Sequence, residues 1–235
     1  MNNFLNNFLN VFLDFLPKLL PNLLPNLLPS LLPIAVALAS YLVGSLSFAV
    51  IVSRWMGLDD PRTFGSKNPG ATNVLRSGNK SAAVLTLLLD ATKGCLPVLV
   101  VRLYGSLYGL GDGSVALAGV AAFFGHVYPV FFGFVGGKGV ATVLGVLLGL
   151  HWALALTALV IWLVMASVFR YSSLAAIIAA LLTPVVYTLG DGLVWRMDKN
   201  ILLGVCVIAV LLLYRHAANI NRLILGTESR LGHKG

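Results

Sequence analysis

Charge is scarce in this chain. Only 10% of its 235 residues are Asp, Glu, Lys or Arg, where a water-soluble domain carries roughly a quarter. With 58% apolar residues and a mean hydropathy of +0.92, the scarcity excludes a soluble fold and leaves an integral membrane protein. Cysteine is almost missing. Cys95 and Cys206 each lie in an apolar run, which supports no disulfide and suits small apolar packing residues. Metal-ligand spacing is absent, and four scattered histidines make no cluster, so neither a metal nor a cofactor is expected. No basic stretch precedes the first apolar residues, so a standard signal peptide is not expected.

The charge that is present leans one way, to a net +8. The bases cluster at the edges of apolar runs. Positive-inside topology and acidic substrates explain that better than nucleic acid, which is not expected as a partner.

Residues 1–33 form an apolar leader with no assigned function. Asn3, Asn6, Asn7, Asn10 and Asp14 recur every three or four positions among Phe and Leu, giving one polar helix face. Prolines at 17, 21, 25, 29 and 33 then forbid a regular helix. Residues 34–235 read as one transmembrane domain. Spans are expected at 31–55, 81–104, 115–134, 172–189 and 201–218. Between Lys138 and Arg170, both ends are basic, and ~40 residues would be needed for two full crossings. Two short helices, 139–150 and 152–169, are expected instead, turning near His151. Gly145 and Gly149 are spaced to allow close packing there. The fold class is all-α: a polytopic membrane bundle of about seven helices, two of them short. The bases place the N-terminus outside and the C-terminus in the cytoplasm.

With that topology the chemically loaded segments fall on one face. The run GHVYPVFFGFVGGKGVAT, from Gly125 to Thr142, holds Gly136, Gly137, Lys138 and Gly139 before a helix. Glycines admit a ligand close to the backbone, and a helix start offers free N–H groups and a positive dipole end. Phosphate is the usual anion for such a place. It is no P-loop, since Gly139 stands where Ser or Thr should follow the lysine. RTFGSKNPGATNVLR, Arg62 to Arg76, is too polar for a plain connector; Ser66, Asn68, Thr72, Asn73 and the Arg76 fork could meet phosphate. In the tail, YRHAANINRLILGTESR, His216 and Asn219 share a face if the last helix continues. Arg215 and Arg222 add positive charge there, and Glu228 reads as a structural ion-pair partner. Asp90 and Lys93 sit three apart in an apolar span, either as a structural strut or as a functional pair.

GSKNPGATN, GHVYPVFFGFVGGKGVAT and RHAANINRLILGTE, in this order, resemble the bacterial membrane glycerol-3-phosphate acyltransferases that use acyl phosphate, the PlsY family. LLDATKG and FRYSSL are similar too, and the resemblance covers roughly residues 38–230. It implies acyl transfer from acyl phosphate to glycerol 3-phosphate, giving 1-acylglycerol 3-phosphate and phosphate, an early step of phospholipid synthesis. Acyl-CoA and acyl carrier protein would not be used directly. It further implies active-site roles for Ser66, Arg76, Lys138, His216 and Asn219. Gly136, Gly137, Gly139, Asn68, Thr72 and Asn73 would bind substrate or phosphate, and Glu228 would be structural. Ser173 would supply a substrate hydrogen bond, although Ala176 stands where some relatives carry a serine, which leaves Ser172 as an alternative. A monomer in the bacterial inner membrane, with its site facing the cytoplasm, is the implied setting.

The chemistry suits these residues. An acyl phosphate is already activated, so no covalent nucleophile is demanded, and neither a triad nor an HxxxxD arrangement is present. Two phosphate-bearing substrates must be held together, at a cost of ~4 kcal/mol per like-charge pair at 4 Å and an effective dielectric near 20. His216 either takes the hydroxyl proton or binds the substrate while the departing phosphate takes it; the second is preferred. A transporter is the competing class. It would put charge at the midplane and be silent in a detergent assay of phosphate release.

Overall fold

The computed structural model describes residues 10–11, 13–15 and 30–231. Most of the leader, including the proline repeat up to position 29, lies outside the described residues. The rest is helical, and no strand forms among the described residues apart from an isolated bridge between Asp191 and Trp195.

The helices are α1 (30–44), α2 (Phe48–Trp55), α3 (Ala71–Leu75), α4 (Lys80–Tyr104), α5 (Asp112–Val127), α6 (Val140–Leu150), α7 (Trp152–Phe169), α8 (Ser172–Leu189), α9 (Lys199–Arg215) and α10 (Ala217–Ile224). Five stretches are long and apolar enough to cross a bilayer, and a sixth counts if α9 and α10 are taken as one bent span. Large apolar side chains such as Leu88, Val100, Leu163, Val164 and Val185 remain on the outer surface, where lipid would meet them.

Four expectations need adjustment. The first span keeps its length, 30–55, but its helix is interrupted at residues 45–47, between α1 and α2. The third span runs to Phe132, but its α-helix ends at Val127 and a single 3-10 turn, Val130–Phe132, follows the helix-breaking Pro129. The helix after the glycines begins at Val140, because Gly139 has a left-handed backbone (φ 82°). A side chain at Gly139 would also strike the Phe123 ring, so only glycine fits there. The last helix does not run on through Asn219; it bends by 58° at His216.

Helix ends follow from local chemistry. Asn79 caps α4 by accepting from the Ala82 N–H at 2.9 Å. Asp198 caps α9, accepting from the N–H groups of Asn200 and Ile201 at 2.8 and 3.1 Å. At 1.5 Å per residue, the 11 residues of α6 reach only about 16 Å, so α6 does not cross a ~30 Å core.

Between helices in lipid there is no hydrophobic gain, so close packing decides which helices meet. α4 and α6 form the most extensive pair. Added methyls on Gly94, Gly145 and Gly149 would collide with Thr142, Ala91 and Cys95 respectively. The pairs 145–91 and 149–95 make the two helices parallel, so α6 starts at the end where α4 starts. Gly44 and Gly125 seat α1 against α5 in the same manner, through Ala122 and Tyr41. These contacts bring the start of α6 and the end of α5 to one end of the bundle, and Arg215, hydrogen-bonded to the Gly136 and Gly137 carbonyls, brings the end of α9 there too.

Candidate active site

Three segments meet at that end: the polar loop 56–79, the glycine loop 133–139 and the tail from Arg215 onward. The polar loop is wound around a single side chain. Asn73 is 2% exposed, and its amide donates to the carbonyls of Pro61 and Phe64 at 2.7 and 3.2 Å. Its Oδ1 accepts the Ser66 N–H at 3.0 Å. Asn73 therefore shapes the loop, with its hydrogen bonds spent on backbone. Gly65 and Lys67 take left-handed φ values of 56° and 55° in this tight turn. A non-glycine residue held there costs of order 1–3 kcal/mol and is commonest at functional sites. Ser66 and Thr72 are exposed, and Asn68 is half-buried. Arg76 is exposed and donates to the Ser229 hydroxyl of the tail at 3.3 Å.

The glycine loop is fixed from both sides. Arg215 donates to the Gly136 carbonyl at 3.0 Å and the Gly137 carbonyl at 3.3 Å, and its guanidinium lies 5.7 Å from the Tyr128 ring centre. Gly137 donates its N–H to the His126 carbonyl at 3.2 Å. A methyl on Gly137 would meet both the His126 ring and the Pro69 carbonyl, which lies 2.8 Å from that point. Gly136 is pressed on the carbonyls of His126 and Val127. All three glycines are thus required by close approach within the protein. The N–H groups of Lys138 and Gly139 find no acceptor among the described residues, and they open onto the start of α6. Those N–H groups, rather than that of Gly137, are available to an anion.

Lys138 is half-buried at this place and makes no hydrogen bond or ion pair among the described residues. Burial pulls its ammonium down from 10.5 to about 8; Glu228 opposes the shift, while Arg222, Arg215 and Arg76 add to it. Lys138 thus feels the charge of three arginines and of one carboxylate. Glu228 is itself committed. Its Oε1 accepts from Ser173 and from the Asn219 amide, each at 2.6 Å, and its Oε2 from Arg222 at 2.7 Å. Burial alone would raise the Glu228 pKa, but the hydrogen bonds from Ser173, Asn219 and Arg222 outweigh it and leave the group below its usual value.

His216 is 2% exposed at the bend between α9 and α10. Its Nδ1 lies 2.9 Å from the Leu212 carbonyl. Only a protonated Nδ1 can donate there, which assigns the lone pair of the neutral ring to Nε2. Asn219, 4% exposed, keeps a buried Oδ1 with no hydrogen-bond partner among the described residues. A buried orphan acceptor is rare and calls for a donor. The bend thus places a ring nitrogen and an amide oxygen, both acceptors, beside a basin of cations.

The structure bonds Ser173 and Asn219 to Glu228, ties Arg76 to the same tail through Ser229, and leaves Lys138 and His216 close enough to feel the Glu228 charge. It chooses Ser173 over Ser172 as the serine bonded to Glu228. Asp90 and Lys93 do pair, at 2.8 Å, and Asp90 lies 3.6 Å from the ring of His126, beneath the glycine loop. Sequence reasoning credited Arg215 with charge alone and missed its grip on the glycine carbonyls. It noted His126 in the same motif, three residues before Pro129, but gave it no role.

Comparison with known proteins points to one family. A family model described as glycerol-3-phosphate acyltransferase matches residues 34–226. A glycerol-3-phosphate acyltransferase of Albidiferax ferrireducens is 66% identical over 197 residues, covering 84% of this chain and 88% of that protein. Another, of Janthinobacterium sp. (strain Marseille), is 59% identical over 198 residues, covering 84% and 96%. Crystal structures of PlsY, an integral membrane glycerol 3-phosphate acyltransferase, share the fold at 38% identity. The form with glycerol 3-phosphate has a TM-score of 0.77 and covers 85% of this chain and 96% of that one; the lysophosphatidic acid form gives 0.76, with 85% and 95%. An all-helical membrane bundle, three motifs gathered at one end and matches along most of its length place this chain in the glycerol-3-phosphate acyltransferase family of PlsY.

Proposed function

We propose that this acyltransferase takes its fatty acyl group from acyl phosphate, not directly from acyl-CoA or acyl carrier protein. It delivers the group to glycerol 3-phosphate, giving 1-acylglycerol 3-phosphate and inorganic phosphate. The observation that carries this reading is the excess of cations around Lys138 beside two buried acceptors. Lys138, Arg76 and the N–H groups at the start of α6 offset the repulsion between two phosphates. Holding the reactants in line then supplies much of the rate, since alignment alone is worth up to ~7–11 kcal/mol in favourable cases.

The hydroxyl oxygen of glycerol 3-phosphate attacks the acyl carbonyl carbon. The carbonyl–oxygen bond to phosphate breaks, and the departing phosphate takes the hydroxyl proton. No acyl-enzyme forms. His216 Nε2 and Asn219 Oδ1 accept hydrogen bonds from the glycerol hydroxyls and orient them. Ser66 and Arg76 contact substrate from the polar loop, with Asn68 and Thr72 beside them. Asn73 shapes that loop. Glu228 docks the tail, and Ser173 serves the same dock.

The fatty chain enters sideways beside α6 and α7, where the short α6 leaves room below a full span. The N-terminus faces outward and the C-terminus and site face the cytoplasm of a bacterial inner membrane, in a monomer. The deciding assay uses purified protein in detergent with acyl phosphate and glycerol 3-phosphate, following phosphate release and lysophosphatidate together. Equal amounts of both are expected. Product from acyl-CoA alone, or none from acyl phosphate, would overturn the choice of donor.

A further inference from the structure

Beneath the glycine loop lies a set of ionisable side chains that the transfer reaction does not use. Lys93 Nζ sits 2.8 Å from Asp90 Oδ1, and His126 Nδ1 lies 3.6 Å from the same oxygen. The Lys93 and Asp90 side chains are 2% and 3% exposed, and that of His126 is 6%. Lys93 also donates to the Leu46 carbonyl at 2.6 Å, in the break between α1 and α2, and lies 5.6 Å from the Phe48 ring centre. The three residues therefore join the α1–α2 break, α4 and α5.

Stability does not account for them. Removing such groups from water or a polar surround costs several kcal/mol per ion, and well-packed apolar replacements are often as stable or more so. Ionisable groups within membrane segments are rare for that reason and are usually functional. What lies on the far side of the imidazole is the glycine loop. A methyl at Gly137 would run into His126 Nε2, and the Gly137 N–H bonds the His126 carbonyl at 3.2 Å. His126 thus meets the loop through both its ring and its backbone. Its Nδ1 has no hydrogen bond of its own, and at 3.6 Å from Asp90 it is a few tenths of an ångström too far. Catalytic-site hydrogen bonds often have this loose form before substrate arrives and tighten in the complex.

We propose that His126, backed by Asp90 and Lys93, is a positioning residue. Its ring is the floor that fixes Gly137, and so aims the N–H groups of Lys138 and Gly139 and the Lys138 ammonium at a bound phosphate group. The inference rests on the glycine loop being the phosphate site. It gives Asp90 and Lys93 work at the site besides tying α4 to the α1–α2 break.

The test is inhibition by inorganic phosphate, measured on folded protein in detergent for three variants beside wild type. His126→Asn should weaken phosphate inhibition about tenfold or more, with little change in thermal midpoint. Asp90→Asn combined with Lys93→Met removes the charges at nearly constant volume and should weaken it several-fold. This pair also decides the matter if His126→Asn does not fold. A purely structural role would lower the midpoint and the active fraction while leaving the inhibition constant of the surviving enzyme unchanged, and that result would overturn the inference. Lys138→Ala is the control. If it alone weakens phosphate inhibition, only the positioning role fails. If it too has no effect, the glycine loop is not the phosphate site.

Discussion

The two ends of this bundle are both polar, yet they differ in how their charges are spent. At the end away from the glycine loop, Arg102, Asp112, His151, Tyr187, Trp195, Arg196 and Asp198 border a cavity of about 300 Å³. Two cations there face two carboxylates. Asp198 caps α9, and His151 accepts from the Ala153 N–H at 3.3 Å to cap α7. Trp195 donates to the Tyr187 carbonyl at 2.8 Å and stacks on the Tyr187 ring at 5.8 Å. At the other end, Lys138, Arg76, Arg215 and Arg222 outnumber Glu228, and Asn219 Oδ1 has no partner among the described residues. Chain reversals need polar groups at either end of a membrane bundle. A cavity therefore says little about chemistry here; an uncompensated sign and unassigned buried atoms say more.

The sharpest way to break that contrast is to remove the central cation. Lys138→Ala should lower kcat/KM by about 10²–10³, the usual loss when one charge-stabilising group leaves a site. The readout is phosphate release, with correct folding checked by thermal midpoint. A folded Lys138→Ala protein working at wild-type rate would mean that the excess of positive charge has nothing to do with the reaction.

His216 separates binding from proton transfer. With the Nδ1 proton directed at Leu212, only Nε2 is left for substrate. His216→Gln should raise the Michaelis constant for glycerol 3-phosphate about tenfold, or ~1.4 kcal/mol, while turnover at saturation stays within a few-fold of wild type. A collapse of turnover with an unchanged Michaelis constant would instead make His216 the base.

A good part of this end was legible in the sequence, because its residues come in runs. Lys138 with its glycines, and His216 with Asn219, stand out from apolar surroundings as single motifs. Helix ends at Tyr104, Leu150, Phe169 and Leu189 were legible for a similar reason, since hydropathy changes there. What could not be read depends on contacts distant in the chain. Asn73 reads as a ligand group until Pro61, Phe64 and Ser66 are seen to use up its amide. Gly137 reads as an anion donor until its N–H is found on His126. The bend at His216 has no proline or glycine to announce it. It arises where Arg215 turns back to hold Gly136 and Gly137, and where Glu228 draws Asn219 toward Ser173.

The pH response should be several-fold and confined to one end. In the free protein Lys138 is charged below about 8 and loses its charge above that. Phosphate esters have a second pKa near 6, so the ligand remains a dianion throughout the window. Affinity for phosphate should therefore fall as pH rises from 7 to 9, by up to about tenfold. Lys138→Arg, which keeps its charge across this range, should flatten the profile even if its overall affinity is lower. An equally steep profile in the arginine variant would assign the titration to another group.

The smallest effect on activity should come from the far end, and it tests the contrast from the other side. Arg102→Gln with Asp112→Asn removes one charge of each sign and keeps the balance. Trp195→Ala removes a ring that packs on Tyr187 and touches His151 edge-on at 5.0 Å. Losing a partly buried aromatic and its hydrogen bond should cost up to about 3 kcal/mol of stability. Both proteins should show kcat/KM within about twofold of wild type, measured well below the lowered midpoint. Stability and catalysis would then separate by end: Trp195→Ala moves the melting curve and spares the reaction, and Lys138→Ala does the reverse. Should the charge-neutral pair at Arg102 and Asp112 slow acyl transfer tenfold, the two ends would be coupled through α4 and α5, and the balanced cavity would have to be counted as part of the working enzyme.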